Sequence, residues 1–310
     1  MTAASIAIVT DSASGLPAAL AQQHNIQVIP YWVHLGDETF VSGETIDPAT
    51  FFRRLRADPR LEVHTGVPPV AKFAEVYEHV ANWAKAIVSV HVAGKQSGTC
   101  SAAEVAARES PIPVTIIDTE TTAMAEGFVA LACARLAEQG ATLEQVVEQA
   151  HAAVRNVGLY ALLESISYAL KGGRLSSAAS AVGTLLKIQP LIRVRDNKVS
   201  LIGQARRRVK GLQSLIDKVC KEVGDAPVRL AIHYAEDEEE GQRVLDTLKS
   251  RLHCIEAYLT RVPVELGVHA GPGAIGIAYH AEREATGLRE RLERLGAQAK
   301  EMLQSHLPQS

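Results

Sequence analysis

The sequence predicts an α/β protein of two domains, an N-terminal parallel sheet flanked by helices and a smaller C-terminal α/β domain with a mixed sheet. Three observations predict it. The chain has 310 residues, which suits two domains better than one. Up to about residue 155, short apolar runs alternate with amphipathic stretches, the pattern of a parallel sheet covered on both faces. Beyond that point a hairpin pattern, Lys187 to Val194 and then Val199 to Ile202 with a turn at Asp196-Asn197, interrupts the alternation and requires antiparallel pairing. The predicted boundaries are 1–157, 158–281 and a charged, amphipathic, helical extension over 282–310.

The elements follow in order. Ser5 to Thr10 is an apolar strand running into the polar loop Thr10-Asp11-Ser12, and Pro17 opens a helix. A strand is expected over Ile26 to Val33. Asp47-Pro48 starts a helix that turns Phe51, Phe52 and Leu55 inward. Thr65 to Pro69 is a breaker-rich loop before a helix over about Val70 to Ala84. Ala86 to Val90 is a buried strand, Gly94 to Gly98 a polar loop, and Thr99 the start of a helix. Val114 to Ile117 is a strand and Thr122 to Gln139 a long helix. In the second domain, Leu159 to Leu163 is a strand, and a helix leads to Lys171-Gly172-Gly173-Arg174. After the hairpin, a helix entered from Arg206 runs to Val223, then come a strand at Val228 to His233, an acidic helix over Glu236 to Leu252 and a strand at Cys254 to Leu259. A Gly-Pro-Gly turn within His269 to Ala278 leads to the last strand.

Composition narrows the function. Hydrophobic residues make up 47% and charged residues 22%, the balance of a soluble globular chain. Apolar runs such as Phe128 to Cys133 are far too short to span a bilayer, and the N-terminus reads as no signal peptide. Four cysteines without CxxC spacing read as reduced thiols in a cytoplasmic protein. A net charge of -3 gives no global field for nucleic acid. There is no phosphate-binding G-x-x-x-x-G-K-[ST] loop and no G-x-S-x-G elbow. The G-x-G-x-x-G at Gly271 to Gly276 enters a strand, whereas dinucleotide binding needs a helix there. The 11 histidines show no metal-ligand spacing, so neither a metal nor a cofactor is expected.

What stands out is hydroxyls at strand-to-helix loops. Ser97-Gly98-Thr99 precedes a helix whose unpaired N–H groups suit a carboxylate or phosphate, and the same residues also suit plain helix capping. Thr10-Asp11-Ser12 has the same two readings, and Thr65 is a third hydroxyl in a loop. The basic run Arg206, Arg207, Arg208 and Lys210 is either a solvated helix face or a contact surface.

These motifs resemble, in order, those of the DegV family of fatty-acid-binding proteins. Thr10-Asp11-Ser12 through Leu16-Pro17 resembles the family's T-D-S-x-x-x-L-P, Thr65 to Pro68 its T-S-Q-P, and Ser97 to Ala103 its S-G-T-Y-Q-S-A. Lys171 to Leu175 is similar to its K-G-G-R-[IL], Arg206 to the arginine opening its basic helix, and His269 to Ala274 to its H-x-G-P-G-A. Gly66, Val67 and Cys100 depart from the pattern, leaving Thr65 the only hydroxyl of its loop. The resemblance implies a carrier without chemistry of its own, holding one long-chain fatty acid such as palmitate, stearate or oleate between its domains. It implies that Thr65, Ser97, Gly98 and His269 bind the carboxylate, with Thr10, Asp11, Ser12, Thr99, Gly271 and Gly273 in supporting loops. It further implies a separate ATP-dependent fatty acid kinase as partner, with Arg174 and Arg206 contacting that partner or the new phosphate. Two alternatives stay open: an acyl hydrolase or transferase with Ser97 as nucleophile and His269 as base, and a lipid transport or regulatory protein with no kinase.

Overall fold

A computed structural model describes residues 6–175 and 188–283. In it the first apolar run forms β1 (Ile6–Asp11), followed by a 3₁₀ turn (Ser12–Ser14) and α1 (Ala18–Gln23). The strand expected over Ile26 to Val33 is two strands in different sheets, β2 (Gln27–Ile29) and β3 (Trp32–Leu35). Pro30 is the reason: it brings no N–H to a ladder, and the next N–H, of Tyr31, is diverted to Ser12 Oγ at 3.0 Å. β4 (Glu38–Val41), α2 (Pro48–Ala57) and β5 (Val63–Gly66) follow. Asp47 caps α2 as expected, accepting from the Thr50 N–H at 2.9 Å. Thr65, expected in a loop, lies in β5, and the breakers act only from Val67 on.

The remainder of the first half is α3 (Val70–Val80), β6 (Ala86–His91), α4 (Thr99–Ala107), β7 (Val114–Asp118), α5 (Met124–Glu138) and α6 (Leu143–Asn156). Then come β8 (Val157–Leu162), α7 (Ser167–Lys171), β9 (Gln189–Arg195), β10 (Lys198–Ala205), α8 (Arg208–Val223), β11 (Val228–Tyr234), α9 (Glu238–Arg251), β12 (Cys254–Arg261), α10 (Val264–Ala270) and β13 (Ile275–Ala281). The hairpin turns where the sequence placed it, with Asp196 at φ 52° and Asn197 at φ 61°. Two left-handed residues in succession suit a tight two-residue hairpin turn. The helical extension expected over 282–310 lies, from residue 284 on, outside the described residues.

Three sheets result. The first is parallel with strand order β2-β1-β6-β7. The second is mixed, β10-β9-β8-β13-β11-β12, with only β11 and β12 parallel. A small antiparallel sheet, β4-β3-β5, completes the set. The two large sheets face each other across α5 and α6: Ile8, Val88 and Ile117 of the first and Leu159, Ala231 and Ala278 of the second share one core with Phe128 and Val146. Helices α3 and α4 cover the outer face of the first sheet, α8 and α9 that of the second. α5 is accordingly apolar almost all round, buried without a break from Met124 to Leu131.

That layering places the site. On β8, Val157, Leu159 and Ala161 share the face toward α5, because side chains alternate along a strand. Toward Ala161, and at His233 and Gly276 on β11 and β13, the sheet outruns the N-terminus of α5. The space is closed instead by α10 and by loops at the carboxyl ends of β1, β6 and β7, the edge where parallel sheets bind ligands.

Candidate functional site

The space is a cavity of about 1040 Å³, its open mouth included. Leu159, Ala161, Val194, Val199, Leu266 and Ala274 give it a largely apolar wall. Two of these are alanines, whose short side chains leave room in the space they enclose. Polar side chains gather on one part of the lining, where β5, the loop before α4, the end of α7 and α10 meet.

Thr65, Ser97, Arg174 and His269 all contribute to that lining. The structure therefore brings together three of the expected carboxylate-binding residues and one expected partner-contact arginine. Ser97 is held by neighbours. Its Oγ lies 2.7 Å from the Tyr31 hydroxyl and 2.8 Å from Thr99 Oγ1, and it accepts from the Thr99 N–H at 3.3 Å. Tyr31 also bonds to Thr99 Oγ1. Gly98, not Ser97 or Thr99, occupies the capping position of α4, and it is exposed rather than on the cavity wall. Burial first, and the Asp11 carboxylate second, push the Tyr31 hydroxyl well above its ordinary pKa, so it stays a neutral donor. The hydroxyls of Ser97, Thr99 and Tyr31 form a ring of three hydrogen bonds in which each can donate or accept, so Ser97 can turn its proton to an incoming acceptor.

His269 sits in the last turn of α10, not in a loop, and the chain leaves the helix through Gly271 at φ 73°. Its Nδ1 is buried against Gly172 with no hydrogen-bond partner among the described residues. Burial, helped by the neighbouring Arg174, lowers its pKa from 6.5 to about 4, so the ring is neutral at physiological pH. Arg174 donates to the Gln96 carbonyl at 3.3 Å and the Gly172 carbonyl at 2.6 Å, which ties the Gly-Gly-Arg segment to the loop that bears Ser97. One α10 turn before His269, the buried Glu265 also reaches the cavity; Ser12 donates to its Oε1 and Ser42 to its Oε2 at 2.6 Å. Burial raises the Glu265 pKa although both hydroxyls act to lower it.

The other expected site residues lie off the lining. Asp11 caps the 3₁₀ turn, accepting from the Ala13 N–H at 3.0 Å, and its second oxygen faces His91 Nδ1 at 3.0 Å. Thr10 donates to the fully buried Glu126 at 3.3 Å. Ser12 supports Glu265 and Thr99 supports Ser97. Gly271 and Gly273 both have left-handed φ, and a side chain at either would run into Tyr168 or Glu164. Their close approach is to the protein itself. Arg206 is exposed ahead of α8, away from the cavity, while Arg208 is engaged by Glu240.

Chemically the arrangement favours holding an anion over attacking one. Ser97 Oγ bonds to two hydroxyls and an amide, and no imidazole bonds to it among the described residues. A carboxylate–imidazole–hydroxyl chain does exist, Asp11–His91–Ser89, extended to Tyr77 at 2.9 Å. All four residues are wholly buried and none lines the cavity. No cluster of three or more metal-ligating side chains, and no helix long and apolar enough to cross a membrane, occurs among the described residues.

Sequence reading missed Tyr31, Glu265 and Gln96. Pro30 should have signalled the break that frees Tyr31 from a ladder. Pro263 followed by Glu265 is a helix-start pattern and would have revealed α10. Nothing in the sequence marks Gln96.

Residues 5–282 match the family described as "Uncharacterised protein, DegV family". The chain belongs to the DegV family. It is 34% identical over 274 residues to a DegV domain-containing protein of Streptomyces coelicolor, covering 88% of this chain and 97% of the relative. It is 30% identical over 278 residues to Protein DegV of Bacillus subtilis, with 88% and 98% covered. Among solved structures it is similar to a fatty-acid-binding DegV family protein of Thermus thermophilus, with TM-score 0.83, 29% identity, and 89% and 99% of the two chains covered. It is likewise similar to the B. subtilis DegV, a fatty acid binding protein, with TM-score 0.82, 28% identity, and 90% and 100% covered.

Proposed function

We propose that this chain is a cytoplasmic, non-catalytic carrier that holds one long-chain fatty acid in the cavity and presents its carboxylate to a separate ATP-dependent fatty acid kinase. One observation carries the binding part: a largely apolar cavity into which two hydroxyls, Thr65 and Ser97, a neutral imidazole, His269, and an arginine, Arg174, all open, with Tyr31, Gln96, Thr122, His233 and Glu265 as its other polar lining. Hydroxyl and imidazole N–H donors hold a carboxylate without burying a lysine beside it. The alkyl tail supplies most of the affinity: at about 0.8 kcal/mol per buried CH₂, a sixteen-carbon acid has roughly 10 kcal/mol to draw on before ordering costs. The kinase part is supported by Arg206, exposed outside the cavity, and by the family resemblance.

Native mass spectrometry of protein purified from cells tests the binding. A mass increment of one fatty acid, lost on delipidation and restored by palmitate, is expected. Protein that arrives without lipid and refuses palmitate defeats the reading. Delipidated and palmitate-loaded protein, given to a fatty acid kinase catalytic subunit with ATP, should yield acyl phosphate only when loaded.

A further inference from the structure

The loop from Gly94 to Ser97 belongs to the first half of the chain, yet a residue of the second sheet holds it. Asn197, at the tip of the β9–β10 hairpin and 8% exposed, uses every hydrogen-bonding group it has there. Its Nδ2 donates to Asp118 Oδ2 at 3.0 Å, and its Oδ1 accepts the Lys95 N–H at 3.1 Å. Its carbonyl accepts from Gln96 Nε2 at 3.0 Å, and its own N–H donates to the Glu120 carbonyl at 3.0 Å. Asp118 is itself anchored, with Oδ1 accepting the N–H of Gly94 at 3.1 Å and of Glu120 at 2.8 Å. The fit leaves no slack: a Cβ on Gly94 would stand 2.8 Å from Asp118 Oδ2. On one side of this clasp Ala93, Gln96 and Ser97 line the cavity; on the other Val194 and Val199, paired across the hairpin just before its turn, do the same. Asn197 lies off the lining.

We propose that Asn197 is a latch that keeps the Gly94–Ser97 loop shut against the β9–β10 hairpin and thereby sets how fast a bound acyl chain enters and leaves. The proposal rests on the fatty-acid reading for its ligand, but the clasp itself can be tested apart from any ligand. The latch contributes no surface to the cavity, so breaking it speeds entry and exit together and leaves Kd within about twofold. A residue that merely kept the binding groups in shape would raise Kd instead.

The test is a charge swap. In Asn197→Asp, two carboxylates confront each other and the donor to Asp118 is gone. In the double variant Asp118→Asn with Asn197→Asp, the amide and carboxylate exchange sides: the new amide still accepts from Gly94 and Glu120 while donating to the new carboxylate, which still accepts the Lys95 N–H. Amide hydrogen exchange at Lys95 reads the clasp, and stopped-flow release of cis-parinaric acid into excess palmitate reads the gate. The single variant should exchange and release about tenfold faster, from the loss of one hydrogen bond together with the repulsion of two facing carboxylates, and the swap should return both toward wild type. Gly94→Ala, which displaces Asp118, should resemble the single variant. Lys95 exchange unchanged in the single variant overturns the clasp. Faster exchange with unchanged release, or with Kd raised in step, overturns the gate. If cis-parinaric acid and palmitate fail to bind the wild type at all, the carrier reading falls and takes the gate with it, while the exchange data still judge the clasp.

Discussion

Replacing Ser97 by alanine removes one donor from the proposed carboxylate cage at a calculable cost. Deleting the Ser97 hydroxyl leaves Tyr31 and Thr99 bonded to each other and takes the acceptor from the Thr99 N–H in free and loaded protein alike. The loss is then that of the hydrogen bond to a charged ligand alone, about 2 kcal/mol, or roughly thirtyfold in Kd. Thr65→Ala removes the facing hydroxyl from β5 at a similar cost. The two losses should fall short of additivity, because Arg174 and His269 line the same cavity and in the proposed binding mode would share the one ligand carboxylate with them. The assay is displacement of cis-parinaric acid by palmitate and, in parallel, by methyl palmitate. The ester keeps the tail but has no negative charge, so it should bind wild type more weakly and should barely distinguish wild type from the double variant. Palmitate binding the double variant as tightly as wild type would refute the head-group assignment. Equal losses for acid and ester would show that the substitutions act on the channel's shape.

Other outcomes follow from the same geometry. Arg206→Ala should leave palmitate affinity unchanged and reduce kinase-dependent acyl phosphate formation severalfold, read by transfer of labelled phosphate. Ala161→Phe, which thrusts a ring into the channel from β8, should cost a long acid several methylenes' worth of burial at about 0.8 kcal/mol each, and displacement titrations with acids of graded length should show the preference moving to shorter chains. His233 is fully buried with a pKa lowered from 6.5 to about 4, burial being the cause. The unfolded chain therefore takes up this proton at a pH where the native state refuses it, and stability is lost as pH falls from 6.5 toward 4, by up to about 3 kcal/mol from this residue. Glutamine keeps an acceptor for the Met124 N–H, which His233 Nε2 receives at 3.0 Å. Urea unfolding of His233→Gln across that pH range should show the shallower slope.

Much of this was legible in the sequence, for physical reasons. Asp47-Pro48 marked a helix start because the cap and the missing N–H are both local matters. Asp196-Asn197 marked a tight turn because few side chains tolerate left-handed backbone. The alternation of apolar runs and helices gave the parallel sheet, and ordered motifs placed Thr65, Ser97 and His269 as candidates for one site, which the fold then brought to one cavity. What escaped depended on contacts distant in sequence. Ile26 to Val33 is suited to a strand at every position but Pro30, and it is Ser12, in another loop, that takes the Tyr31 N–H away from a ladder. α10 is short and buried, with Val264, Glu265, Gly267 and Val268 all inside, so it carries no amphipathic stripe to read. The second role of Asn197 was invisible for the same reason: a turn residue announces its backbone, while its side-chain partners lie on a different sheet.

The burial of α5 has one last consequence. Both large sheets rest on it, β1 and β6 from one side and β8 and β13 from the other. A protein built this way cannot gape like a clam, because parting its halves would strip the central rod of its packing along its whole length. Traffic through the interior has to pass by small excursions at the rim, where turns and side chains trade a few bonds. Thermal unfolding should accordingly register both halves as a single melting event.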